Sequence, residues 1–131
     1  MIKTDICVIG GGSAGLSIAA GAVQMGADTV LVEAGKMGGD CLNYGCIPSK
    51  SLLTAGKIAR SWKKSPEFGV NYDPPEVNFQ KVHDHVKAVI AGIEPHDSVE
   101  RFESLGVNVV QASGQFIDAK TLKAGDTTIQ A

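Results

Sequence analysis

Six residues near the amino end, Gly10-Gly11-Gly12-Ser13-Ala14-Gly15, constrain this chain more than any others. They match the spacing G-x-G-x-x-G, and their context gives the match its weight. An apolar run over residues 6–9 precedes them. An amphipathic pattern over 13–25 follows, with Leu16, Ile18, Ala19, Ala22, Val23 and Met25 as its apolar positions. Residues 29–33, Thr-Val-Leu-Val-Glu, then read as a second strand. Strand, glycine loop, helix and strand form a βαβ unit, and continuous apolar strands suit a parallel sheet covered on both faces. In such a unit Gly10 allows a tight turn, Gly12 keeps a side chain away from a pyrophosphate, and Gly15 lets helix and strand approach closely. The helix start offers unpaired N–H groups and a positive dipole end to phosphate oxygens. Glu33, 18 residues after Gly15, ends the second strand, where a carboxylate can accept from a ribose and repel a 2′-phosphate. A dinucleotide site is the expectation. A glycine-rich turn without a nucleotide is the plainer alternative.

Composition narrows the function classes. Glycine supplies 16 of the 131 residues, and ten of these fall in the first 45 positions, an excess suited to backbone approaching a ligand. A hydrophobic content of 44% is enough for a buried core. Twelve Lys and Arg against 14 Asp and Glu leave a net charge of −2, which argues against an electrostatic nucleic-acid binder. The cluster Lys57, Arg60, Lys63 and Lys64 reads as a solvated helix face, too small for a nucleic-acid footprint. No apolar run approaches the roughly 18 residues of a membrane span. The start is also no signal-peptide core, so a cytoplasmic location is expected.

Along the chain, residues 3–9 read as one strand and 48–62 as a helix with Pro48 tolerated at its start. Residues 65–76 carry Pro66, Pro74 and Pro75 and read as a loop. The spacing of Val82, Val86, Val89, Ile90 and Ile93 predicts a helix over 79–93 with one apolar stripe. A shorter helix over 98–105 ends at Gly106, and residues 107–112 return as a third strand. Residues 121–123 and 127–130 flank Ala124-Gly125-Asp126 as a hairpin. The expected fold is α/β and doubly wound: a parallel sheet with helices on both faces, with a small antiparallel appendage near 114–130.

Three cysteines are present, Cys7, Cys41 and Cys46. Cys7 lies in the first apolar run, where a small buried hydrophobe is the default. Zinc at Cys41 and Cys46 would need two more ligands. His83 and His85, two apart on a helical pattern, point to different sides, so no metal site is expected. In a regular helix residues i and i+5 lie about 8.6 Å apart at Cα, beyond the roughly 7 Å a disulfide tolerates. If Cys41 and Cys46 pair, their segment cannot be a plain helix, and Gly45 is the natural point of distortion. The helix entered through Pro48 would bring its positive end towards the sulfurs and favour a thiolate. A short loop beside a nucleotide site argues for a redox-active pair over a structural staple.

The segment Gly38-Gly39-Asp40-Cys41-Leu42-Asn43-Tyr44-Gly45-Cys46-Ile47-Pro48-Ser49-Lys50 resembles the active-site signature of the class I pyridine nucleotide-disulfide oxidoreductases. The glycine loop and Glu33 precede it in the family's order, and residues 95–107 are also similar. The resemblance implies a Rossmann-like FAD-binding domain, here its amino-terminal part over residues 1–131, with NAD(P)H-binding and dimerisation domains elsewhere in a homodimeric enzyme. It places the FAD pyrophosphate over Gly10, Gly12, Ser13, Ala14 and Gly15, and the adenosine ribose on Glu33 and Ala34. Gly39, Asp40 and Lys50 would lie along the flavin. By the same resemblance Cys46 is the charge-transfer thiol, Cys41 the interchange thiol, and Lys50 the cation near flavin N5. Electrons would run from NAD(P)H through FAD to a Cys41–Cys46 disulfide and on to a small-molecule disulfide or related substrate. Asp40 stands where the family usually has Thr, and Tyr44 replaces a commonly smaller apolar residue.

His83, His85 and His96 do not match the family's catalytic base and read as surface or capping residues. The chain alone is therefore expected not to turn over, with no nucleic acid or membrane among its partners. Two alternatives stand beside this reading: a free-standing nucleotide-binding or dithiol module without flavin catalysis, and an FAD domain whose disulfide is structural.

Overall fold

Seven strands form two small sheets that meet at one face of β3 (Thr29–Glu33), and five α-helices complete the chain. The structure, a computed structural model, describes residues 1–131. The first sheet is parallel: β2 (Ile6–Ile9), β3 (Thr29–Glu33) and β4 (Asn108–Gln111), in the order β2-β3-β4. Helix α1 (Ser13–Gln24) is the crossover between β2 and β3, so the βαβ unit forms as the sequence predicts. The third strand also returns as expected, pairing Leu31 with Val109 and Glu33 with Gln111.

Side chains alternate across a pleated strand, and β3 uses both of its faces. Leu31 packs with Val8, Leu16, Ala19, Phe102 and Val107, beneath α1 and the short helix α5 (Val99–Ser104). Val30 and Val32 point the other way and pack on Leu122, Ala124 and Ile129. Those three belong to the second sheet, whose antiparallel strands are β5 (Gly114–Asp118), β6 (Thr121–Ala124) and β7 (Thr127–Gln130). This is the α/β, Rossmann-like architecture expected. Helices cover one face of the parallel sheet, not the two faces that the sequence leads one to expect. The antiparallel appendage supplies the cover on the other face, because its inward residues are apolar enough to bury Val30 and Val32 completely.

The first predicted strand divides in two. Ile2–Lys3 forms β1 and pairs in parallel with β7, while β2 pairs with β3. Thr4 and Asp5 cause the break by turning their polar groups to the loop before β3. The Thr4 hydroxyl donates to the Asp28 carbonyl at 2.6 Å, and the Asp28 N–H donates to the Asp5 carboxylate at 2.9 Å.

The middle of the chain is helical. Helices α2 (Gly39–Asn43) and α3 (Cys46–Arg60) are followed by short 3₁₀ turns and then by α4 (Phe79–Ile93), which packs against α3. The second helix begins at Cys46, ahead of the predicted position 48. A 3₁₀ turn, Ser65–Phe68, occupies part of the expected loop. The α4 stripe turns towards α3, yet only Val86 is buried on α4 and nothing is buried on α3. No helix is long and apolar enough to cross a membrane.

Candidate cofactor and dithiol site

The glycine loop leaves β2 and enters α1 with the geometry its sequence requires. Gly10 has φ of 103°, in the region that disfavours side chains, and its N–H donates to the Val32 carbonyl at 2.8 Å. A Cβ on Gly15 would lie 1.8 Å from the Gly10 carbonyl oxygen, so only glycine lets α1 start this close to the loop. Gly12 is the N-cap of α1 and brings no side-chain cap. The first-turn N–H groups of α1 are thus free of an internal partner, and a Cβ on Gly12 would meet nothing closer than 3.9 Å. Open space above an uncapped helix start fits a pyrophosphate. Ser13 and Ala14 are exposed beside it, and Gly15 is buried.

Glu33 is anchored at the end of β3. One carboxylate oxygen accepts the Gly11 N–H at 2.5 Å, and the other accepts the Gly35 N–H at 2.5 Å. Each oxygen keeps a lone pair, so the group still has capacity for ribose hydroxyls. Ala34 is exposed at the same turn. A cavity of about 280 Å³ opens there, lined by Gly35, Lys36 and Met37 and, from remote segments, by Glu94, Ser98 and Gln111. Sequence reading missed Gln111, because only the pairing of β4 with β3 brings it level with Glu33.

The cysteine segment docks against the glycine loop. Gly12 and Gly38 form a parallel bridge, with the Gly38 N–H donating to the Gly11 carbonyl at 2.8 Å. Gly39 packs so close that a Cβ on it would lie 2.7 Å from the Gly12 Cα. Asn43, also missed from sequence, fixes this junction: its side-chain amide donates to the Met37 carbonyl at 3.1 Å and to Gly39 at 2.9 Å. Leu42, 2% exposed, anchors the same turn in the interior. Asp40, exposed, sits in the first turn of α2, where its charge suits the helix dipole.

Between the cysteines the helix is interrupted at Tyr44 and Gly45, and α3 restarts at Cys46. The segment is therefore no continuous helix, as pairing of its cysteines would require. Cys41 is half-buried, Cys46 is exposed, and both are free thiols here. Hydrogen bonding to the Cys46 side chain pushes the Cys41 thiol above its ordinary value, aided by partial burial and by the like charge Cys46 would carry. The Cys46 N–H at the start of α3 and the Lys50 ammonium pull it down. The expected helix-end effect on this thiol is present but is outweighed by the neighbouring sulfur. Lys50, one turn along α3, thus lies close enough to act on Cys41. Cys7 faces the interior between the sheets, where burial pushes its thiol up. His83, His85 and His96 are all exposed.

The glycine loop of a Rossmann-like βαβ unit is thus joined to a C-x₄-C turn. The profile described as "Pyridine nucleotide-disulphide oxidoreductase" matches residues 4–131, and the chain belongs to that family. Dihydrolipoyl dehydrogenase of Haloferax volcanii is 37% identical over 121 residues, which cover 92% of this chain and 25% of that protein. Dihydrolipoyl dehydrogenase of Staphylococcus aureus is 36% identical, over 95% of this chain and 26% of its own. Mercuric reductase of Lysinibacillus sphaericus is 28% identical, over 97% and 23% respectively. The chain spans about a quarter of the length of the curated relatives it matches.

Proposed function

We propose that these residues form the FAD-binding and dithiol portion of a flavin-dependent disulfide oxidoreductase. The whole enzyme would take electrons from NAD(P)H, act on a small-molecule disulfide or related substrate, and work as a homodimer. The carrying observation is the backbone junction between the two loops, in which the Gly38 N–H meets the Gly11 carbonyl at 2.8 Å. It holds the uncapped start of α1 against the segment that leads into Cys41, which supports a cofactor shared by the two loops. Gly10, Gly12, Ser13, Ala14 and Gly15 would hold the pyrophosphate, Glu33 and Ala34 the ribose side, and Gly39, Asp40 and Lys50 the flavin side. When bound, the flavin would supply an electron pair taken from NAD(P)H, which with two protons would reduce a Cys41–Cys46 disulfide to two thiols.

From the reduced pair, the Cys41 thiolate attacks one substrate sulfur, forming a mixed disulfide and expelling the other sulfur as a thiolate. The Cys46 thiolate then attacks Cys41, releasing the second substrate thiol and restoring the internal disulfide. The two protons lost by the protein thiols end on the two product thiols. Lys50 and the first turn of α3 stabilise the thiolate charge during both attacks.

Titration of FAD into the purified chain, read by flavin fluorescence, tests the cofactor. Saturable quenching in the wild type and its loss in Gly12→Val are expected, and binding unaffected by Gly12→Val overturns the assignment of the glycine loop. The 131 residues alone are expected not to turn over, and NAD(P)H-dependent disulfide reduction by this chain alone would overturn that.

A further inference from the structure

The four cations read from sequence as a solvated helix face converge on one cavity. Lys57, Arg60, Lys63 and Lys64, with Leu52, Leu53, Gly56 and Ser61, line a space of about 560 Å³, and no acidic residue joins them. A chain with net charge −2 has gathered a third of its twelve basic residues at this place. The volume falls within the roughly 300–1,000 Å³ of small-molecule sites. Lys57 and Arg60 are one turn apart on α3, while Lys63 and Lys64 come from the turns that follow, so positive charge approaches from two elements. All eight residues are exposed, so the cavity is an open surface hollow whose floor is the apolar pair Leu52 and Leu53, 41% and 63% exposed.

Gly56 is the second indication. Glycine inside a helix is unfavourable, and here a Cβ would meet nothing within 4 Å. No packing demands a glycine at this position; its effect is to keep the cavity open.

We propose that this cavity binds a small phosphate-bearing molecule with an apolar group, the phosphate held by Lys57, Arg60, Lys63 and Lys64 and the apolar part over Leu52 and Leu53. A phosphate monoester carries nearly two negative charges at neutral pH and accepts through three oxygens, which suits several converging cations. The cavity lies on the face of α3 that begins at Cys46 and continues through Lys50, Leu53, Lys57 and Arg60, at spacings of four, three, four and three. Its floor at Leu53 is two turns, about 10 Å, from Cys46 along the helix axis. The site is nevertheless separate from the glycine loop, and the proposal does not depend on the flavin reading.

Trp62 is the only tryptophan in the chain and sits between Arg60 and Lys63, with the Lys63 ammonium 5.8 Å from its ring. Trp62 is not part of the lining, but Lys63 is, so a ligand that engages Lys63 changes the surroundings of the ring. Titration with phenyl phosphate is expected to give a saturable change in Trp62 emission, with inorganic phosphate binding about three-fold or more weakly because it lacks an apolar group. The double variant Lys57→Gln/Arg60→Gln should weaken phenyl phosphate about ten-fold. Gly56→Leu should abolish binding while raising the thermal midpoint, which separates a filled cavity from a failed fold. No saturation in the wild type, or unchanged affinity in both variants, overturns the site; equal affinity for the two phosphates overturns its apolar half.

Discussion

At the scale of single residues, close backbone approach and paired sulfurs decide most of what this site is. Gly15 has no room for a methyl group against the Gly10 carbonyl. Gly15→Ala should therefore cost about 3 kcal/mol or prevent folding, as overpacking against rigid backbone does, and urea denaturation measures it. A Cβ on Gly12 makes only ordinary contact, 3.9 Å from the Gly39 Cα, so Gly12→Ala should leave folding nearly unchanged and act on ligand binding instead. The pairing of Cys41 with Cys46 carries a second prediction. A raised thiol has a smaller thiolate fraction at a given pH, and its largest cause is the Cys46 side chain. In reduced Cys46→Ala, Cys41 loses that cause but keeps Lys50 and the N–H of residue 46. Its titration midpoint should move to lower pH and its alkylation at pH 7.5 should speed up. An unchanged or higher midpoint would show that the neighbouring sulfur does not control it.

At the scale of elements, the helical hairpin and the sheets differ in how much they bury. β3 has four consecutive buried residues, Thr29 to Val32, whereas α3 has none and α4 has only Val86. Local opening follows buried apolar contact, so amides of α3 should exchange with deuterium much faster than those of β2 and β3. Equal protection across both regions would contradict this picture. Element type and position were largely legible in the sequence. The helix over 79–93 has the predicted bounds, and Gly106 follows α5, because helical periodicity and glycine punctuation are short-range signals. The break at Thr4 was not legible. Nothing in residues 3–9 interrupts a strand locally, and only the backbone groups of Asp28, reached through another element, divide them.

At the scale of the whole molecule, the two sheets are one cooperative unit because β3 is packed on both faces. Ile129, 1% exposed, lies in the antiparallel sheet and covers Val30 and Val32 of the parallel one. Ile129→Ala should cost about 3 kcal/mol and lower a single unfolding transition seen by all probes. Separate transitions for the two sheets would refute that coupling.

The chemistry of the site was carried by local spacing. Gly10, Gly12 and Gly15 announce a tight turn into an uncapped helix start, and Cys41, Gly45 and Cys46 a broken helix bearing two thiols, because turns and helix starts are decided by residues a few positions apart. Tertiary structure alone decided the distant pairings. It placed Gly38 against Gly11, levelled Gln111 with Glu33, and covered the second face of β3 with strands. Such contacts depend on which apolar surfaces find each other once loops close, and local periodicity does not record that choice.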